Sequence, residues 1–331
     1  LSTWTKAKNT ILAIGGAAAY LRGLTLQKAA AMTEPTPTEM RRALFAGLAG
    51  YLIWGVSPLY FQLVGFADAL EIVAHRVVWS LPMLFAALWF AGKLRTAFKA
   101  MSEPRVVLIL LATSVLISIN WLVFVHAVNH GQVLQASLGY YINPLMSVAV
   151  GVVVLREPLG PWRIAAIVLA TLGVLNQIIA VGEVPWISLT LALSFTGYGY
   201  LRKTVTVDGR IGLFWETAFI TPFALGAIIW MQSQGTGHFL QGPAEAGLLI
   251  LAGLITIVPL LLYIIGARGL RLSTMGLLQF TAPSLQFAIG VMRGEPFTAA
   301  HLITFGFIWA GVATFAWSQL RRERAAVATS D

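Results

Sequence analysis

The chain has 331 residues, 58% hydrophobic and only 11% charged, with a formal net charge of +9 and no cysteine. An ordinary soluble domain carries about 25% charged residues, so this composition excludes a water-soluble globular protein, and the absence of cysteine excludes disulfides and thiolate metal sites. The positive charge would fit a nucleic-acid partner only if Lys and Arg gathered into one patch, and they do not.

In chain order, the first 31 residues stand apart. Their apolar stretch, Ile11 to Leu21, is too short to cross a membrane and is flanked by Lys6, Lys8, Arg22 and Lys28, whereas Met32 opens a polar segment that reads as a natural start. Residues 1–40 are expected to be a leader, an added upstream piece or a cytoplasmic segment, with an interfacial helix or a cleaved signal as the alternative. Ten apolar blocks follow, at about 42–64, 71–91, 105–127, 133–154, 162–181, 185–202, 212–231, 246–267, 273–292 and 300–319. Each has at least ~18 residues, enough at about 1.5 Å per residue to span roughly 30 Å of hydrocarbon. A short basic tail, 321–331, closes the chain.

Lys and Arg alternate between loops. With the start of the first block placed inside, sixteen fall in inside segments, among them Arg41, Lys93, Arg156, Arg202, Arg268 and Arg321, against Arg293 alone outside. That asymmetry predicts both ends of the core in the cytoplasm of a bacterial inner membrane and an even number of spans.

The chain also repeats weakly at a period near 140. Ser137-Leu-Gly-Tyr-Tyr-Ile-Asn-Pro144 leads to Arg156-Glu157-Pro158, and Gly276-Leu-Leu-Gln-Phe-Thr-Ala-Pro283 leads to Arg293-Gly-Glu295-Pro296; His75 and Pro82 align with Glu216 and Pro222. Two repeats, 41–181 and 182–320, hold five spans each. Five is odd, so the second must be inverted, an arrangement that usually puts a substrate site at the interface between halves.

These segments carry a resemblance. Tyr51-Leu-Ile-Trp54-Gly55-Val-Ser-Pro58, Ala74-His75-Arg76-Val-Val-Trp79-Ser80, Asn120-Trp121, the run Leu138 to Pro144 and Arg271-Leu-Ser-Thr274 resemble the RarD-type branch of the EamA family, in the drug/metabolite transporter (DMT) superfamily and related to YddG-type amino-acid exporters. The resemblance implies an all-α integral membrane fold of ten transmembrane helices, in two inverted five-helix EamA repeats around a central cavity. It implies export of small metabolites, with amino acids and drug-like compounds as substrate classes.

Uncharged polar and aromatic groups within spans tend to face one another or a wet cavity. Helical spacing puts Tyr51, Trp54 and Pro58 on one face of the first span, and Ala136, Tyr140, Asn143 and Ser147 on one face of the fourth. Asn120 and Trp121 lie in the third span, Ser194 and Tyr198 in the sixth and Gln279 in the ninth. Tyr51, Trp54, Asn120, Trp121, Tyr140, Asn143, Tyr198 and Gln279 are therefore the candidate cavity lining, suited to an apolar or aromatic body with a few polar handles. Trp79, Trp89, Trp186 and Trp309 read as interfacial belt residues, and Gly139, Gly151, Gly173 and Gly276 as sites of close helix packing.

Among charges, Glu71, His75 and Arg76 open the second span and Glu216 lies near the start of the seventh; these four are candidate gates or anchors. The expected pairing is His75 and Arg76 with Glu71, and Glu216 with a cytoplasmic Arg. Glu157 and Glu295 read as helix-end partners. No His, Asp or Glu cluster has metal-ligand spacing, and no Walker, Gly-x-Ser-x-Gly or His-Glu-x-x-His motif occurs. No cofactor is expected, and the partners expected are a small-molecule substrate and lipid, with a monomer as the simplest state. The reading is a secondary, non-ATP exporter working by alternating access, not an enzyme. A channel or facilitator, or a membrane-embedded enzyme, are the rival classes.

Overall fold

The computed structural model describes residues 37–155, 160–182, 184–205, 207–270 and 272–328. Among them there is no strand. The helices are α1 Pro37–Leu63, α2 Ala69–Phe90, α3 Leu94–Ala100, α4 Pro104–Asn129, α5 Val133–Leu155, α6 Pro161–Asn176, α7 Trp186–Lys203, α8 Gly209–Ser233, α9 Pro243–Gly269, α10 Leu272–Leu278, α11 Thr281–Met292 and α12 Ala299–Ala328. A five-residue π-helix, Gln177–Val181, extends α6. The expectations for residues 1–31, for Glu157 and for Gly151 fall outside the residues or side chains described.

Local sequence explains where these helices begin and end. Proline opens α4, α6 and α9, at the position where a helix needs no N–H. Gly92, Gly131, Gly235 and Gly294, all at positive φ, follow α2, α4, α8 and α11, where the left-handed conformation is cheap only for glycine.

Seven of the described helical segments are long and apolar enough to cross a membrane, with α10 and α11 together counting as one, and the predicted fifth span is the shorter apolar helix Ile164–Ala180. The predicted fourth and sixth spans correspond to α5 and α7. The predicted ninth is not continuous: it breaks at Gln279 and Phe280 into α10 and α11. Pro283 accounts for the break, because it has no N–H to give the Gln279 carbonyl and its ring crowds that carbonyl.

From Ala43 onward the chain is one unit. Side-chain contacts fix the helix directions within it. Glu71 with His238, Phe85 with Phe214 and Lys93 with Asp208 run α2 antiparallel to α8. Gly47 faces Gly266 and Gly50 faces the Pro259 carbonyl, so α1 runs antiparallel to α9; a Cβ on Gly50 would come within 2.9 Å of that oxygen. Asn120 bonds the Leu191 carbonyl, and α4 runs antiparallel to α7. Asn176 bonds the Ala300 carbonyl, and Ser137 the Pro283 carbonyl, tying α6 to α12 and α5 to α11.

The outer surface is unlike that of a soluble protein. Large apolar side chains point outward, Phe90, Phe223 and Met292 among them, while Glu71, His75, Asn120, Glu216 and Gln286 are each at most 2% exposed. That is the pattern of a helix bundle whose surroundings are hydrocarbon. Trp89 and Trp186 stay on the surface as expected. Trp79 and Trp309 do not: Trp79 donates from Nε1 to Nδ1 of His75, and Trp309 packs among Tyr141, Phe287 and Phe305. Gly139 meets the Ser188 carbonyl and Gly173 meets Ile308, as packing glycines should, but nothing lies near Gly276.

Candidate functional site

Polar side chains inside the bundle gather in two layers and at two ends. The first layer lies about two turns in from the start of α2. Its centre is Arg76, 7% exposed, whose guanidinium carbon sits 4.3 Å from the Trp121 ring centroid and 5.7 Å from that of Phe61. Beside it, Tyr140 donates to Oδ1 of Asn120 at 3.3 Å, and Asn120 donates from Nδ2 to the Leu191 carbonyl and to Oγ of Ser194. Asn120 is thereby satisfied by protein on both ends of its amide.

The second layer is centred on Glu216. Thr113 donates to Oε1 at 2.7 Å, Tyr198 donates to Oε2 at 3.2 Å, and Nε of Arg202 lies 3.6 Å from Oε1. Arg202 is thus the cation that pairs with Glu216. It fits because Gly212 has no side chain: a Cβ there would occupy the space of the Arg202 guanidinium. Seven residues of α4 separate Thr113 from Asn120, so the layers are about 10 Å apart along the helix axis.

At one end of the α2/α8 pair, Glu71 accepts from the His238 backbone N–H at 2.6 Å and pairs with Nδ1 of its ring at 2.8 Å. The expected pairing of Glu71 with His75 and Arg76 is therefore not found; the loop after α8 supplies the partner instead. His75 stacks on Phe239 and accepts from Trp79, which places the imidazole proton on Nε2. At the other end, Lys93 bonds the Asp208 carboxylate, which also caps α8 through the Arg210 N–H. Partial burial opposes the charge on Asp208, but the Lys93 and Arg210 hydrogen bonds and charges prevail and hold its carboxyl below the usual range.

The remaining candidates do not all converge. Asn143 accepts from Thr196 at 2.8 Å, joining α5 to α7. Tyr51 and Trp54 form an aromatic nest with Tyr263 of α9, with centroids 5.5–5.9 Å apart. Gln279 sits in the break between α10 and α11, and no side-chain partner for it occurs among the described residues. Glu295, read from sequence as a helix-end partner, accepts from the N–H groups of Val133 and Leu134 at 2.7 Å each and so caps α5. Burial raises its carboxyl above the usual range against the pull of those two bonds.

Sequence reasoning missed His238, Thr113 and Tyr263, which depend on which helices meet; for Glu216 it gave a cytoplasmic Arg without singling out Arg202. No group of three or more His, Asp or Glu residues that could hold a metal occurs among the described residues.

Comparison with known proteins agrees with a bundle of membrane-spanning helices. Residues 41–176 match the model of the EamA-like transporter family. An uncharacterized transporter of Vibrio cholerae is 38% identical over 88% of this chain and 97% of its own length. Protein RarD of Escherichia coli is 36% identical over 86% of this chain and 97% of its own. The chloramphenicol-sensitive protein RarD of Pseudomonas aeruginosa is 32% identical over 85% and 95%. One crystal structure, 18% identical, superposes with a TM-score of 0.53 over 85% of this chain and 98% of that one, a likeness of fold. The chain belongs to the EamA-like transporter family, and within it to the RarD-type membrane transporters of the DMT superfamily.

Proposed function

We propose that this transporter moves small amphiphilic metabolites, neutral or aromatic amino acids and drug-like compounds among them, out of a bacterial cell by alternating access of two inverted five-helix halves. The observation that carries it is an exchange symmetry in the packing. Adding about 140 residues turns α1 into α7, α2 into α8, α4 into α9 and α5 into α10–α11. The contact of Gly50 with Pro259 then maps onto that of Leu191 with Asn120, and the pairing of α2 with α8 maps onto itself. Ten passes in two inverted halves produce such an exchange, and inverted halves are the usual basis of rocking around a site between them.

In this reading Tyr140, Trp121, Asn143, Tyr198, Trp54, Tyr51 and Gln279 face the pathway, and the Glu71 and Glu216 clusters act as anchors. The N-in, C-in orientation rests on the Lys and Arg asymmetry. The name of the Pseudomonas aeruginosa relative makes chloramphenicol a reasonable test compound. The experiment is reconstitution into liposomes with radiolabelled amino acids and chloramphenicol. Saturable counterflow without ATP is expected. Linear, non-saturating flux would indicate a channel, and transport confined to phosphorylated anions would overturn the substrate class. Cysteines placed at Asp68 and Gln234 should label from outside, and one at Lys99 only after permeabilisation.

A further inference from the structure

Arg76 is the one buried cation in the described bundle that no protein group answers. It is 7% exposed, no carboxylate lies within ion-pair distance, and its Nε has no acceptor. Glu71, five residues earlier on the same helix, is committed to His238. The ring faces of Trp121 and Phe61 cover the guanidinium, and Tyr60 and Tyr140 are the polar groups in electrostatic reach. Of these, Tyr60 donates to the Leu248 carbonyl and Tyr140 to Asn120. Their oxygens are free to accept, yet neither takes a hydrogen bond from the guanidinium.

A guanidinium is charged at every physiological pH and presents five donors in a planar fork. Ring faces attract the cation but satisfy none of those donors in the plane, and a buried charge without a hydrogen-bonded counter-charge costs several kcal/mol. A cation that aromatic rings cover and whose in-plane donors no protein group takes is suited to a planar anion that meets it edge-on. The aromatic walls beside it suit an apolar or aromatic body joined to that anion.

We infer that Arg76 is the carboxylate-recognising residue of the transport pathway: it binds a monocarboxylate whose body lies against Trp121 and Tyr140. The inference rests on the transporter reading and narrows its substrate class. It also explains an asymmetry between the halves. At the repeat offset of 141 that relates His75 to Glu216, Arg76 corresponds to the uncharged Thr217, so only one half carries the fork.

The test uses the full chain in proteoliposomes with L-phenylalanine and L-tryptophan, their amides, and chloramphenicol, which carries no carboxylate. The acids should drive counterflow and the amides should compete about 10- to 100-fold less well, the span of one charge-assisted bidentate contact. Arg76→Met should lose acid transport by a similar factor while its melting temperature stays level or rises, because a costly buried charge has been removed. Arg76→Lys should recover part of the acid transport, since it restores charge without the fork.

Amides moving as well as acids would overturn the inference and leave the transporter reading intact, as would chloramphenicol flux with no acid flux. A fall in melting temperature in Arg76→Met with unchanged discrimination among compounds would make Arg76 a structural clamp. Counterflow of none of these compounds would overturn both.

Discussion

At the residue scale, Asn120 and Asn143 look alike in sequence and differ in the fold. Both are amides within apolar helices facing α7, but Asn120 is 2% exposed and bonded at both ends, whereas Asn143 is half-buried with one bond to Thr196. Asn120→Ala should therefore leave the Tyr140 hydroxyl without its acceptor and lower stability by about 1–3 kcal/mol. Asn143→Ala should lower transport with a smaller change in melting temperature. Equal losses of stability in detergent for the two variants would place both in the packed core. Gly212 offers a second contrast. Alanine there should push the Arg202 guanidinium off Glu216, reproducing the stability loss of Arg202→Gln, up to about 3 kcal/mol because a buried carboxylate loses its cation. A Gly212→Ala melting temperature equal to wild type would show that Arg202 is not held by that space.

At the element scale, the sequence made the helices legible, and their partners much less so. Blocks of eighteen apolar residues, a proline at three starts and a glycine after four ends are local signals, and local structure follows them. The site is a matter of helix pairing. Glu71 and His75 stand one turn apart on α2, which made them look like partners, yet Glu71 turns to His238 in a loop more than 160 residues away. Likewise Trp79 and Trp309, placed by sequence at an interface, turn inward because a histidine and an aromatic cluster receive them. The break between α10 and α11 was foreshadowed by Pro283, but Pro144 at the equivalent place leaves α5 continuous. Tyr140 and Tyr141 bond Asn120 and Ser284 and so hold that turn of α5, whereas no such bond to Gln279 occurs among the described residues. Pro283→Ala should restore the N–H to the Gln279 carbonyl and join the two helices, removing a helix penalty of about 3 kcal/mol. Hydrogen exchange across 279–283 should slow and transport should fall; faster or unchanged transport in a joined helix would show that the break has no part in the cycle.

At the scale of the whole molecule, the two ends of the α2/α8 pair are built alike. At one, Glu71 in the first turn of α2 holds His238, just beyond the end of α8; at the other, Asp208 at the start of α8 holds Lys93, just beyond the end of α2. An acid beginning one helix thus grips a base following the other, and the inversion proposed above, which exchanges the helices, would exchange the grips. With one helix from each of the proposed halves, each contact must stretch in its turn if the halves rock. A rocking motion separates one end while closing the other, so loosening one grip should bias the molecule toward opening at that end only. The Asp208 carboxyl is held below its usual range, so this grip contributes fully above the ordinary Asp range and is lost as pH falls through the lowered value. Exposure limits its worth to about 1 kcal/mol or less, enough to shift a balanced two-state equilibrium severalfold but not to unfold the bundle. Spin labels at Lys99 and Thr204 would report the Asp208 end, and labels at Asp68 and Gln234 the Glu71 end. Asp208→Asn should broaden and lengthen the first distance while leaving the second unchanged or shorter, and acidification to below the ordinary Asp range should do the same to the wild type and add little to the variant. Glu71→Gln should give the mirror result. If each substitution lengthened both distances together, the two grips would be staples of a rigid bundle, and alternating access about the α2/α8 pair would be wrong.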